Sequence, residues 1–515
     1  MILNKLCSCL PARVALALIC STGVIVLYMM RINLSVAIVA MVHVPTTKNV
    51  TKEKLCVPNN EELHSIHDIP GPLNGSFELL SSEIQEDKVS DLIIMTSTEK
   101  GSVLGALFYG YVTTAIFGGR MAEKYGTKRV VFISMLAGGI LTLLTPVAAN
   151  THYAFFTTVR ILIGIAQGVF YPALHCLISC WIPPLERPRF MSFVYLSNCL
   201  GIVITMPLCG VIIDAFGWPW VFYGSGILSL VWVIIWALLM HDTPQQHPRI
   251  SPSELNYITD AISHESNAGE KPSSVPWLEI MKCRGFWAIA ICHTGNAYGW
   301  NLLNTQLPSF MDGVLGLSIK KNAVMSSIPY LCRFIGSNCW SWMGDTLLTK
   351  GIITPRISRR LFSAIGLVGM GTVLGIVGFV GCNVNLVVTL LSIGTTCLGA
   401  TVSGYGPNYH DLSPNFAGTM LGMSNTCAFL LGMLAPVIVG ALTPDDTPEQ
   451  WQAAFLSTTG VLFVGITVYL IFADTELKPW NFATKKETEL GEEEEERKEF
   501  IQKKAHGSVV SLQEL

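Results

Sequence analysis

From Val14 to Val44 the chain reads VALALICSTGVIVLYMMRINLSVAIVAMVHV, a stretch whose only Lys, Arg, Asp or Glu is Arg31. A helix rising 1.5 Å per residue crosses a hydrocarbon core of about 30 Å with about 20 apolar residues, so this stretch is long enough to span a bilayer. Lys5 and Arg13 precede it as they would a signal peptide, but the run continues past Arg31 with no clean small-residue cleavage site. The rest of the chain repeats the pattern. Of 515 residues, 50% are hydrophobic and 13% charged, and the mean hydropathy is +0.48. Soluble chains carry about 25% charged residues, so a soluble, fibrous or disordered protein is excluded and the lipid bilayer is the implied solvent. With 33 Lys+Arg against 36 Asp+Glu the net charge is −3, which gives nucleic acid no basic surface to bind.

Eleven more windows meet the length requirement. In the first half they are Gly101 to Gly119, Val130 to Ala149, Tyr153 to Leu174, Phe190 to Ile213 and Trp218 to Met240. After a polar gap come Phe286 to Met311, Ala323 to Met343, Leu361 to Gly381, Leu386 to Gly406, Ala417 to Leu442 and Ala453 to Ala473. An all-α membrane protein of twelve transmembrane helices follows, in two six-helix halves.

Lys and Arg in short connections hold those connections in the cytoplasm. Arg120, Lys124, Lys128 and Arg129 follow the second span, Arg187 and Arg189 the fourth, and Lys350, Arg356, Arg359 and Arg360 the eighth. The connections after spans three, five, nine and eleven have no Lys or Arg, and the last carries Asp445, Asp446 and Glu449. Both termini are therefore expected in the cytoplasm. The chain divides into an N-terminal tail (1–12), a first half (13–240) with a long external loop (45–97), a cytoplasmic linker (241–284), a second half (285–473) and a disordered acidic tail (474–515) containing Glu492 to Glu496. Two glycosylation acceptors, Asn49-Val-Thr51 and Asn74-Gly-Ser76, fall in the external loop, on the side the charges independently select.

Spacing supports a duplication. Glu123, in the basic turn after span two, and Asp345, in its counterpart after span eight, are 222 residues apart, whereas Arg13 and Gly285 are 272 apart. The 50-residue difference nearly equals the external loop, so removing that loop brings the halves into register. Two parallel six-span halves holding a substrate between them near the midplane are the architecture of major facilitator transporters.

A charge at the bilayer centre costs about 2.5–3.5 kcal/mol on insertion scales, so buried charges should face a cavity or a partner. The cations within the windows are Arg31, Arg160 and Arg333, and no Asp or Glu lies in the middle third of any window. Arg31 has 17 window residues before it and 13 after, too far to reach either interface. Arg160 lies nearer one end, where it could snorkel or bond backbone carbonyls, and Arg333 could contact substrate or brace two helices. Guanidinium groups without a native counter-charge suit an anion, because they hold carboxylate or phosphate through two parallel charge-assisted hydrogen bonds. His175 and His293 are candidate proton carriers, or simply hydrogen-bonded buried imidazoles. Span seven is polar, with His293, Asn296, Tyr298, Trp300, Asn301, Asn304 and Gln306 before Pro308, which is expected to weaken the helix. These groups suit recognition of a polar solute, or glue between helices. Asn425 and Gln167 are lesser examples. The 15 cysteines show no CxxC pairing and read as small buried hydrophobes, with Cys56 alone in a long polar loop and Cys7 and Cys9 near enough to span one for palmitoylation or for no modification at all. No metal site is indicated.

Several segments resemble the anion:cation symporter family that includes sialin, the vesicular glutamate transporters and the sodium-dependent phosphate cotransporters. They are Arg31-Ile-Asn-Leu-Ser-Val-Ala37, Gly110-Tyr through Gly118-Gly119, Val159-Arg-Ile-Leu162, Gln167-Gly-Val with Tyr171-Pro-Ala, Pro183-Pro-Leu-Glu-Arg187 and Asn408-Tyr-His-Asp-Leu-Ser-Pro414. The turn GRMAEKYGTKR, Gly119 to Arg129, is similar to the loop of the wider superfamily whose charges latch neighbouring helices. The resemblance implies that Arg31 and Arg160 occupy substrate-anion positions and that His175 matches a histidine of the fourth-span motif. Proton-coupled members tend to have glutamate where this chain has Ile163 and Gln167, and the glutamate carriers have an arginine in span seven where His293 to Trp300 has none. Arg333 has no counterpart in the family pattern. These departures point to the sialin-like or phosphate-cotransporter-like branch.

The reading is a monomeric alternating-access carrier of a small organic or inorganic anion, in the plasma membrane or a lysosomal or vesicular one. It has no cofactor beyond a co-transported sodium ion or proton, or is driven by membrane potential. Substrate-binding residues are Arg31, Arg160, His175, Asn296, Tyr298, Asn301, Arg333 and Asn425. Gly119, Glu123, Arg129, Glu186, Arg187, Asp345 and Asp411 serve conformational change. A receptor that binds an anion without turnover is the alternative. An enzyme is disfavoured, since the spans hold no nucleophile–base pair or metal-ligand cluster.

Overall fold

Apolar length alone accounts for most of the helices. The computed structural model describes residues 11–43, 93–183, 186–248, 250–267 and 275–482. The first half is α1 (Ala12–Met41), β1 (Val42–His43), β2 (Ile93–Ile94), α2 (Ser97–Tyr125), α3 (Thr127–Thr151), α4 (Tyr153–Gly168), α5 (Phe170–Trp181), α6 (Arg187–Phe216) and α7 (Pro219–Leu239). The linker forms α8 (Pro252–Asn267) and α9 (Trp277–Lys282). The second half is α10 (Arg284–Gly313), α11 (Ile319–Thr349), α12 (Pro355–Val377), α13 (Val384–Leu398), α14 (Tyr405–Leu412), α15 (Ala417–Gly432), α16 (Leu434–Leu442) and α17 (Pro448–Phe472). α4 with α5, α13 with α14 and α15 with α16 each make one span. Among the described residues, nine spans are apolar enough to cross a membrane by composition, and α2, bent by 54°, is a tenth. α10 and α11, of 30 and 31 residues, are long enough but more polar, which completes the twelve.

α10 keeps its polar groups because they are enclosed by protein: Asn296, Asn301, Asn304 and Gln306 are all buried. Pro308 does not interrupt this helix. Asn322 of α11 donates to its carbonyl at 2.8 Å, so the expected weak point is supported by a neighbour.

Within the first half, glycine lets backbones touch. A Cβ on Gly110 would lie 1.9 Å from the Ile161 carbonyl oxygen, and one on Gly164 1.9 Å from that of Leu107, so α2 and α4 meet with no side chain between them. The two halves meet at the end of the bundle that carries the long loop. There a Cβ on Gly101 would lie 2.3 Å from the Pro436 oxygen, on Gly440 2.5 Å from that of Ser97, and on Gly210 2.5 Å from Ala323. Asp214 and Lys320 lie 3.9 Å apart at the same end. β1 and β2 pair in parallel and draw the two ends of the loop together. The largest apolar core runs through both halves here, including Ile38, Met41, Ile202, Met206, Leu307 and Ala323. At the opposite end, which carries residues 11 and 482, the ion pairs among the described residues join segments of a single half or its linker. Arg13 binds Glu186 and Glu254, and Arg359 binds Asp411.

Two expectations are corrected. The disordered tail does not begin at 474. Asn481 is buried, accepts hydrogen bonds from the Ser413 hydroxyl and the Asn415 N–H, and through its carbonyl accepts one from the Asn415 amide. Polar docking of this kind leaves no apolar pattern to read. Cys382, in the turn before α13, is disulfide-bonded rather than a buried hydrophobe. Cys7, Cys9, Cys56, Asn49, Asn74 and Glu492 to Glu496 lie outside the described residues.

Gly164→Leu should therefore lower the apparent melting temperature of the purified protein, since it forces α2 and α4 apart at a cost of about 1–3 kcal/mol. Gly119→Leu, where a Cβ meets open space, should not. Equal melting curves for the two variants would contradict the packing described.

Candidate functional site

Arg31 lies ten residues before the end of α1 at Met41, about 15 Å from the loop end. Its Nε donates to Gln167 Oε1 of α4 at 2.9 Å, so the side chain points inward. The guanidinium carbon is 4.8 Å from the Tyr111 ring centroid, 5.4 Å from Tyr28 and 6.0 Å from Tyr171. Tyr171 stacks on Tyr195 at 5.2 Å, and the Tyr195 hydroxyl makes a short hydrogen bond with His175 Nε2. His175 is thus linked to Arg31 through a row of tyrosines. Arg31 Nη2, Gln167 Nε2 and the Tyr171 hydroxyl are buried without partners.

Arg160 is 1% exposed, and its Nε and Nη1 have no partner. It neither snorkels nor bonds a backbone carbonyl among the described residues.

The second half supplies a different wall. Arg333, near the middle of α11, lies 3.7 Å from the Trp300 ring centroid, and its Nη1 is buried and unpaired. Trp300 meets Tyr330 edge-on at 5.3 Å, and the Tyr330 hydroxyl is unpaired as well. Asn296, Trp300 and Asn304 recur every four residues and so share one face of α10. Asn296 donates to the Tyr405 hydroxyl at 2.9 Å, while its Oδ1 and that of Asn304 lack donors. Tyr298 is buried but lies on another face, and Asn301 packs against Gly432, where a Cβ would come within 2.2 Å of its Nδ2. Asn425 is half-buried and makes no hydrogen bond among the described residues. His293 Nδ1 is 2.9 Å from Ser424 Oγ, which also accepts from the Tyr409 hydroxyl at 2.6 Å, so this imidazole is hydrogen-bonded within the second half.

Sequence reasoning missed the aromatic partners Tyr28, Tyr111, Tyr171, Tyr195 and Tyr330. One signal was present. Tyr28 stands three residues before Arg31 and Tyr330 three before Arg333, a spacing that places ring and guanidinium side by side on a helix.

The residues assigned to conformational change do not form one cluster. Glu186 accepts from Arg13 and from the Tyr257 hydroxyl at 3.0 Å, while Arg187 donates to the Ile182 and Ser179 carbonyls at 3.0 and 3.1 Å. Asp411 receives both Nε and Nη2 of Arg359, at 2.8 and 3.3 Å. Glu123 reaches only Arg120, one turn away on the same helix. Arg129 and Asp345 are exposed and make no ion pair among the described residues, and Gly119 faces open space. Among the described residues, the charges of the Gly119 to Arg129 turn make no ion pair to a neighbouring helix. What holds that turn is Asp242, unforeseen, which accepts from the Lys128 N–H at 2.7 Å beneath Gly126 at φ +87°.

The model of the Major Facilitator Superfamily matches residues 20–436. Human sialin is 35% identical over 92% of this chain and 91% of its own length. A putative inorganic phosphate cotransporter of Drosophila melanogaster is 33% identical over 92% and 87%. Among solved structures, a bacterial homolog of the human lysosomal transporter Spinster, inward-facing and occupied, aligns with a TM-score of 0.62 at 12% identity, covering 90% of this chain and 98% of that one. The chain belongs to the Major Facilitator Superfamily, within the group of sialin and the phosphate cotransporters, and is a secondary transporter.

The two kinds of charge pair differ in what they hold. Asp411→Asn strands a mostly buried guanidinium and should lower stability by about 3 kcal/mol. Glu123→Gln removes an exposed pair worth about 0–1 kcal/mol and should change little. Thermal unfolding in detergent separates the two.

Proposed function

We propose that this member of the Major Facilitator Superfamily carries a small organic anion, whose negative group is held by Arg31 and Arg333 and whose hydroxyl groups are read by the amides of α10. One observation carries the reading: Arg31 and Arg333, both half-buried, each keep a buried N–H without a partner and have no carboxylate partner among the described residues. The Asn296 and Asn304 oxygens add two buried acceptors that lack donors. Inorganic phosphate at neutral pH offers few donors. A hydroxylated carboxylate satisfies both sets, in keeping with the similarity to sialin. With no carboxylate to relay a proton through the spans, a sodium gradient or the membrane potential acting on the anion's charge is the driving force. Both termini lie in the cytoplasm, so contact between the halves at the loop end opens the site to the cytoplasmic side.

Uptake into proteoliposomes under separately imposed sodium, proton and voltage gradients should show flux for a hydroxylated carboxylate such as sialate above phosphate, glutamate or urate. Arg31→Ala should abolish it. Arg31→Lys should reduce it about tenfold or more, because an ammonium cannot reproduce the planar fork. Gln167→Glu should compete for Arg31 and weaken substrate affinity. Flux that survives Arg31→Ala would overturn the proposal, and saturable binding without uptake under any gradient would favour the receptor reading.

The topology has its own check. In cells, replacing Asn49 and Asn74 by Gln should remove all glycosidase-sensitive mass, whereas acceptors introduced in the linker should stay unmodified. Modified linker acceptors would invert the orientation.

A further inference from the structure

A polar cavity of about 600 Å³ opens in the second half at the end opposite the long loop, outside the central site. Lys282, Arg284, Arg356, Arg360 and Lys478 line it, against only Glu279 and Asp474, so the lining is strongly cationic. Asp474 is already engaged by Lys478 and by Arg356. Lys282 and Arg284 are exposed and make no ion pair among the described residues. Arg360 donates through Nη2 to the Ala473 carbonyl at 3.0 Å, while its Nε is buried without a partner.

One side of the lining is apolar. Ile471 and Phe472 line the cavity and are exposed in the last turn of α17, at the end of a membrane-spanning helix. Trp277, Leu278 and Met281 are exposed on one face of α9 next to Lys282. A cationic cavity beside exposed aromatic and aliphatic side chains at the end of a membrane-spanning helix suits a ligand with phosphates at one end and acyl chains at the other.

We propose that this cavity binds the headgroup of an anionic phospholipid. Lys282, Arg284 and the free Nε of Arg360 hold its phosphates, and the acyl chains lie against Ile471, Phe472 and the apolar face of α9. A soluble phosphate would match the cations but leave that apolar side in water, so the lipid is the favoured source.

The test titrates the purified full-length protein, in zwitterionic nanodiscs, with dioctanoyl phosphatidylinositol bisphosphate, dioctanoyl phosphatidylcholine and soluble inositol trisphosphate. The inositol lipid should bind saturably and lose affinity as salt rises. Phosphatidylcholine should not bind, and the soluble headgroup should bind about tenfold more weakly or worse. Lys282→Gln with Arg284→Gln, both exposed and so tolerated by the fold, should weaken the lipid about tenfold or more. Leu278→Asn should weaken the lipid but not the trisphosphate. Absence of lipid binding, or an unchanged affinity in the double variant, would overturn the site. Equal affinity for the trisphosphate would overturn its assignment to a lipid.

Discussion

A guanidinium group held at least partly inside the bundle, with a buried N–H and no carboxylate among the described residues, is the constraint on which the interior depends. Taking such a charge out of water costs several kcal/mol unless something replaces the lost hydration. The chain replaces it with aromatic faces and one amide: Tyr28, Tyr111 and Gln167 around Arg31, and Trp300 under Arg333. Each cation–π contact contributes about 0.5–2 kcal/mol in such surroundings, and leaves the N–H groups of the arginine unsaturated. A native carboxylate would hold the same arginines more firmly, at the cost of their N–H groups, and would compete with any incoming anion.

That choice also orders the rest of the site. Because the rings occupy the faces of the guanidinium planes, the edges remain for hydrogen bonds, and Arg31 Nη2 and Arg333 Nη1 are indeed unpaired. The two walls are unlike in chemistry. The first half presents donors from Arg31 and Gln167, whereas α10 adds acceptors from Asn296 and Asn304.

The membrane spans were legible because apolar length leaves one reading, and the polar face of α10 stood out because lipid would not tolerate it. The three arginines were legible for the same reason. Their partners were not, since Tyr111 and Tyr171 come from other helices and tyrosine is common in membrane proteins without any such duty. Charge clusters misled most. Glu123 and Arg129 looked like a latch, yet the turn is held by Asp242, more than a hundred residues away, through a backbone N–H that carries no sequence signature. The docking of Asn481 and the bonding of Cys382 escaped likewise, each depending on one polar atom or one thiol rather than a periodic pattern.

How the halves touch bears on how they could part. Within the first half, α2 and α4 are pressed backbone to backbone at Gly110 and Gly164, which suits a body that moves as a unit. Between the halves, the loop end uses a similar device at Gly101, Gly210 and Gly440, set in an apolar core shared by both halves and beside one long ion pair among the described residues, Asp214 with Lys320. Small residues interdigitate little, so they can separate without side chains having to change rotamer. An exposed pair at 3.9 Å adds about 0–1 kcal/mol to the closed arrangement. Close backbone contacts of this kind are shape-complementary when shut and part without a rotamer change, whereas the Tyr111 and Phe429 rings, with centroids 4.5 Å apart across the two halves, must lose their contact when the halves separate.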